Sequence, residues 1–245
     1  TGLCEVPRTS TGFELGDFAA AGPGQPLRLE LALAVPQPTE PGGLDGNHVR
    51  FYRHLPGATA AADRFVASAA PGGPQVLLAG SNPTELTSDD FDGDGLTDLL
   101  VACGGDATLR LHRNTSMVDP VQPDVAVGAF LEALGSPLPL AVGTPTRLQL
   151  SDVNGDGNRD AVVTVEFTSA TTLLRSTSVG IYLSSGSGEL LGPRFASPKR
   201  LGDRDGRLFG DVGDWNRDGV PDLLVGWDTN GVNDINLRVL FGGTR

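Results

Sequence analysis

Three short acidic loops are where this 245-residue chain could do chemistry. The first, DFDGDGLTD, sets Asp90, Asp92, Asp94 and Asp98 at positions 1, 3, 5 and 9, with Gly95 at position 6. Carboxylates this close repel one another, so the cluster calls for a cation. Oxygen ligands on alternating residues, a carbonyl from position 7 and a glycine at a sharp turn are what a calcium loop requires. On that pattern the first loop uses Asp90, Asp92, Asp94, the carbonyl of Leu96 and Asp98. The second uses Asp152, Asn154, Asp156, the carbonyl of Asn158 and Asp160; the third uses Asp214, Asn216, Asp218, the carbonyl of Val220 and Asp222. An Asp/Gly turn without metal would account for any one loop alone. Three in register, each with the ninth-position aspartate, point to three Ca²⁺ sites. The first loop, with four carboxylates, is expected to bind most tightly by charge count. An EF-hand needs a glutamate at position 12 and flanking helices, and here that position holds Val101, Val163 and Val225 in β-rich runs.

The loops start at 90, 152 and 214, so the period is 62 both times. Each is followed by an apolar strand (DLLVA, DAVVTV, DLLVG) and then by an alternating one (TLRLHRN, SVGIYLSSG, NLRVLFGG). A further short strand precedes each loop, and before it lies a segment centred on Phe130 or Phe195. An eroded copy near the N-terminus keeps Asp17 and Gly22 but has Ala19 and Ala21 at the next two acidic positions. Its extra length falls in the loop PQPTEPGGLDGN. The whole chain, 1–245, therefore reads as one all-β domain with repeats at about 10–72, 83–144, 145–206 and 207–245. Four strands per repeat, apolar on both faces, predict the blades of a β-propeller. A closed four-bladed ring, with 1–9 or the longer stretch CEVPRTSTGFEL completing the last blade, and part of a larger ring or open array both fit.

Composition excludes other classes. With 30 acidic residues against 18 basic ones and Lys199 the only lysine, nucleic-acid binding is not expected. No apolar run approaches the ~18–20 residues of a membrane span, so no membrane insertion is expected. The chain opens on Thr1 rather than methionine, as a trimmed N-terminus would, and a segment boundary would look the same. Cys4 and Cys103 allow one disulfide, and a buried free thiol fits equally. His48, His54 and His112 lack metal-ligand spacing and no G-x-S-x-G motif occurs, so catalysis is not expected. Trp215 shares its loop position with Phe91 and Val153 and is assigned to the core; Trp227 and Tyr52 are the aromatic candidates for a sugar platform. Asn114-Thr115-Ser116 has the form of a glycosylation sequon, and GDRDGR from Gly202 reads as a turn.

The stretches Asp90 to Asp98, Asp152 to Asp160 and Asp214 to Asp222, with their strands, resemble the FG-GAP and VCBS repeats of integrin α-subunit propellers and of secreted proteins and lectins. The resemblance implies an extracellular or cell-surface propeller stabilised by calcium, with a partner surface on loops of the face away from the metal. Three functions accord with it: a non-enzymatic binding or adhesion module for a protein or glycan partner, a self-associating structural unit, and a lectin.

Overall fold

The computed structural model describes residues 12–18, 30–36, 47–54, 65–67, 69–70, 73–74, 76–115, 130–140, 143–168, 175–197, 208–228 and 235–240. Every regular element among the described residues is a β-strand, and every pairing is antiparallel.

Among the described residues the strands form four successive larger sheets and one separate two-stranded sheet. The first contains β1 (Phe13–Gly16), β2 (Glu30–Val35), β3 (His48–His54) and β4 (Phe65–Ala67) in that order, while β5 (Ala69–Ala70) and β6 (Gly73–Pro74) pair only with each other and β7 (Val76–Leu78) also pairs with β3. The second runs from β8 (Pro83–Asp89) through β9 (Asp98–Cys103) and β10 (Thr108–Asn114) to β11 (Phe130–Glu132), with β12 (Leu138–Pro139) also on β10. The third comprises β13 (Thr144–Ser151), β14 (Asp160–Thr168), β15 (Arg175–Ser184) and β16 (Leu190–Ser197). The fourth has β17 (Leu208–Gly213), β18 (Asp222–Asp228) and β19 (Ile235–Leu240). β13 begins at Thr144, the last residue of the expected repeat 83–144, and β7 lies between the expected repeats 10–72 and 83–144.

The sheets face one another because their strands are apolar on both sides. Side chains alternate across a strand. In β9, Leu99, Val101 and Cys103 join Phe18, Ala32, Ala34, Val49 and Phe51 in one core, while Leu100 and Ala102 join Leu148, Ala161, Val163 and Tyr182 in another. Each fully buried Leu or Val of this kind contributes about 1.5–3 kcal/mol. The second sheet is therefore the filling of two interfaces, which explains the unbroken apolar run DLLVAC.

The first strands of the sheets stand side by side and are joined by polar contacts. Ser88 Oγ on β8 donates to Glu14 Oε1 on β1 (3.3 Å), Thr84 Oγ1 donates to the Pro145 carbonyl on β13 (3.1 Å), and Gln149 Nε2 donates to Asp211 Oδ1 on β17 (2.7 Å). Among the described residues, no comparable packing joins β17 back to β1.

The end of the segment CEVPRTSTGFEL departs from expectation. Phe13–Gly16 pairs with β2, with Phe13 opposite Leu33 and Gly16 opposite Glu30, so it is the first strand of the first sheet rather than the outer strand of the last. Antiparallel pairing with the next described strand in the chain is the local solution. Residues 1–9, and Cys4 with them, lie outside the described residues. Cys103 is a buried free thiol whose Sγ donates to the Ala79 carbonyl at 2.7 Å, and burial pushes its pKa up to about 12.

Candidate metal centres

Each acidic loop spans the bend between the first and second strands of its sheet. The pairing around it repeats: Asp89 faces Asp98, Ser151 faces Asp160 and Gly213 faces Asp222. The position 9 aspartate thus opens the second strand, and its side chain turns back under the loop.

In the first loop Asp90 Oδ1 accepts the N–H of Gly93 (2.8 Å) and Asp94 (3.2 Å), and Oδ2 accepts that of Gly95 (2.9 Å). Asp92 Oδ1 accepts the Asp94 N–H and Asp94 Oδ1 the Leu96 N–H. Asp98 is fully buried and receives N–H groups from Phe91 (2.9 Å) and Asn114 (2.7 Å). This winding requires left-handed backbone at position 6, where Gly95 has φ 86°. The second loop repeats the scheme: Asp152 caps Gly155, Asp156 and Gly157, Asn154 Oδ1 takes the Asp156 N–H, Asp156 Oδ1 takes the Asn158 N–H, and Asp160 takes those of Val153 and Ser184. In the third, Asp214 caps Asp218 and Gly219, Asn216 Oδ1 takes the Asp218 N–H, Asp218 Oδ1 takes the Val220 N–H, and Asp222 takes the Trp215 N–H.

The side chains converge differently. Among the described residues, Asp90, Asp92 and Asp98 form a group of three whose ligand oxygens lie within 4.8 Å of one another. Asn154 and Asn216 instead donate through Nδ2 to Asp156 Oδ2 and Asp218 Oδ2, both at 2.9 Å. The electrostatics match the crowding. Burial pushes the Asp98 carboxyl up to about 6, the two N–H donors oppose the rise, and Asp92 and Asp94 add to it. Burial also raises Asp160, whereas the Asn158 N–H holds the exposed Asp156 below its usual value. A buried carboxylate that resists ionisation next to further carboxylates is a donor set that a divalent cation satisfies, and the first cluster could hold a metal ion.

A related carboxylate in the first sheet lacks a sequence signature. Glu30 is buried, faces Gly16, and accepts the Phe18 N–H through Oε2 at 3.1 Å, just as Asp98 does for Phe91. The eroded loop runs 13 residues from Asp17 to Glu30, against 8 from Asp90 to Asp98, so the ninth-position rule passes over it. What could find it is the acidic residue opening the apolar strand ELALAV.

The loops also lie where sheets meet. Asn114 Nδ2 donates to the Phe18 carbonyl (3.1 Å), and the Gly188 N–H, in the β15–β16 turn, donates to the Phe91 carbonyl (3.1 Å). Position 2 is thus covered by the following sheet in the first two cases, where Phe18 and Phe91 are 1 % and 3 % exposed, while Val153 in the Asp152 loop is half-buried. Trp215 corrects the core assignment made from the same position: it is 51 % exposed, because among the described residues no further sheet follows the fourth.

A family model described as an FG-GAP-like repeat matches residues 90–163 and 152–225, more than half of the chain. The two matches are offset by the 62 residues that separate the loops. The chain belongs to the FG-GAP-like repeat family. No match emerges among curated proteins.

Other candidates take their places around these FG-GAP-like repeats. Asn114 is buried, with Nδ2 also bonded to the Thr97 carbonyl (3.0 Å), so the sequon does not offer its amide for glycosylation. Tyr52 is buried and offers no sugar platform; the Trp227 side chain and GDRDGR lie outside the description. His48 and His112 are buried in strands, and His54 ends β3 half-buried.

Proposed function

We propose that the chain is a calcium-stabilised β-propeller of the extracellular space or cell surface, acting as a non-enzymatic binding or adhesion module for a protein or glycan partner. The aspartate cluster of the first loop, in a chain of FG-GAP-like repeats, carries this reading. The first site draws on Asp90, Asp92, Asp94, the Leu96 carbonyl and Asp98. The other two use the equivalent residues from Asp152 to Asp160 and from Asp214 to Asp222. The repeated capping pattern of all three loops supports equivalent roles.

Calcium in this reading is structural. It offsets carboxylates crowded at the junctions between sheets, so it binds the folded chain and not the unfolded one. Each site saturated at a hundred times its Kd adds about 2.7 kcal/mol, or roughly 5–10 °C in Tm. A strong chelator should therefore lower the calorimetric melting temperature, with recovery on adding excess calcium. An unchanged melting temperature would end the structural calcium reading.

The exposed apolar residues at the two ends of the sheet series favour a second reading, a self-associating structural unit. Phe13 on β1 occupies the place of Leu86 on β8 and Leu148 on β13, each three residues before the residue facing the buried carboxylate that opens the second strand, Glu30, Asp98 or Asp160. Leu86 and Leu148 are buried against the preceding sheet, whereas Phe13 is 67 % exposed. With Trp215 at the other end, the first and fourth sheets both display surfaces of the kind that mate inside the series.

A further inference from the structure

Asp92 already has a cationic partner. Arg113, on β10, donates through Nε to Asp92 Oδ2 at 2.6 Å, and its Nη2 reaches the same oxygen. The Asp92 side chain is nearly buried and that of Arg113 is partly exposed. Gly188, from the turn of the third sheet, closes over the pair: a Cβ there would lie 2.8 Å from Arg113 Nε and 3.0 Å from Asp92 Cβ. The guanidinium is thus held between the loop and the neighbouring sheet.

The second loop shows what replaces this pair. Asn114 and Ser184 are equivalent, because their N–H groups donate to Asp98 Oδ1 and Asp160 Oδ1, and His112 facing Leu99 matches Tyr182 facing Ala161. Leu183 therefore stands where Arg113 does. Across from it, position 3 is Asn154, which bonds within its own loop to Asp156. The two positions differ together: aspartate with arginine in one sheet, asparagine with leucine in the next. Arg113 thus offsets the fourth aspartate of the first loop's ligand set and leaves it level with the three aspartates of the second, whose own Arg159 pairs instead with Asp89 Oδ2 at 3.4 Å.

We propose that Arg113 is a built-in counter-cation of the first loop, cancelling its extra aspartate and holding its calcium affinity near that of the second loop. This rests on the calcium reading above and revises the ranking by aspartate count. A guanidinium beside a ligand carboxylate repels an entering divalent cation and competes for the oxygen that would bind it. Removing that charge should tighten the first loop by roughly tenfold at physiological ionic strength.

Isothermal titration of the full chain with calcium chloride tests this, with circular dichroism in chelator to establish that each variant is folded. Asp90→Asn identifies the first-loop step as the one it abolishes. Arg113→Leu should tighten that step roughly tenfold, Asp92→Asn should weaken it, and the double variant should return to within about threefold of the wild type, because the two charges removed are opposite and adjacent. Arg113→Lys, which keeps the charge, should stay near the wild type; Arg113→Gln replaces the leucine variant if that one fails to fold. An unchanged first-loop step in the charge-removing variant, a double variant tenfold or more away from the wild type, or an equal gain in Arg113→Lys would overturn the proposal alone. A wild-type chain that takes up no calcium would end the calcium reading and this proposal with it.

Discussion

At the scale of single residues, side chains behave according to what covers them. His112 lies in β10, buried, with both ring nitrogens lacking a hydrogen-bond partner among the described residues. Burial is the main force lowering its pKa, from 6.5 to about 4; Glu132 opposes the change and Arg110 adds to it. In the folded chain the ring stays neutral over a range where the unfolded chain takes up a proton. The stabilisation is present above pH 6.5 and is lost as pH falls through the folded value. The cost to folding from this residue is about 2 kcal/mol at pH 5. Urea unfolding at pH 7 and pH 5 in chelator should show that loss in the wild type and not in His112→Leu. An identical pH dependence in both proteins would exclude this histidine as its source. Glu30 shows the same dependence on surroundings: removed from the aspartate spacing, it still performs the hydrogen bond that Asp98 makes elsewhere.

At the scale of elements, the loop and its two strands form one unit. The position 1 carboxylate caps the turn from within, and the position 9 carboxylate joins the turn to the second and third strands. The glycine at position 6 makes the winding possible: Gly95, Gly157 and Gly219 have φ 86°, 89° and 85° with open space where a Cβ would go. Strain alone should then decide the cost of Gly95→Ala, about 1–2 kcal/mol. The denaturation midpoint in chelator should fall accordingly. No change would mean that the loop can adopt a right-handed path without loss.

At the scale of the whole molecule, the first three sheets are connected by face-to-face cores and all four by contacts among their first strands, so ordering one loop affects two sheets. On the self-associating reading, the exposed residues Phe13 and Trp215 mark the surfaces that copies would share. Multi-angle light scattering in calcium buffer should show a mass above that of one chain if copies associate through these surfaces. The double variant Phe13→Ser with Trp215→Ser should then reduce that mass to one chain. A stable monomer in the wild type would count heavily against the self-associating reading and leave the binding module in place.

The strand pattern and the three loops were legible in the sequence because both depend on local spacing: period-2 apolar runs, oxygens on alternate residues and a glycine at the turn, all repeated every 62 residues. Tertiary structure alone decided the rest. Glu30 joins the loop scheme only through strand register across a longer connection. Trp215 is exposed because burial at its position is provided by the next sheet, not by its own. Arg113 reaches Asp92 across the sheet from a residue 21 positions away, so the charge of the first loop could not be counted from its nine residues. Spacing along a strand is set by the chain itself, whereas burial, pairing and net local charge are set by whatever folds against it.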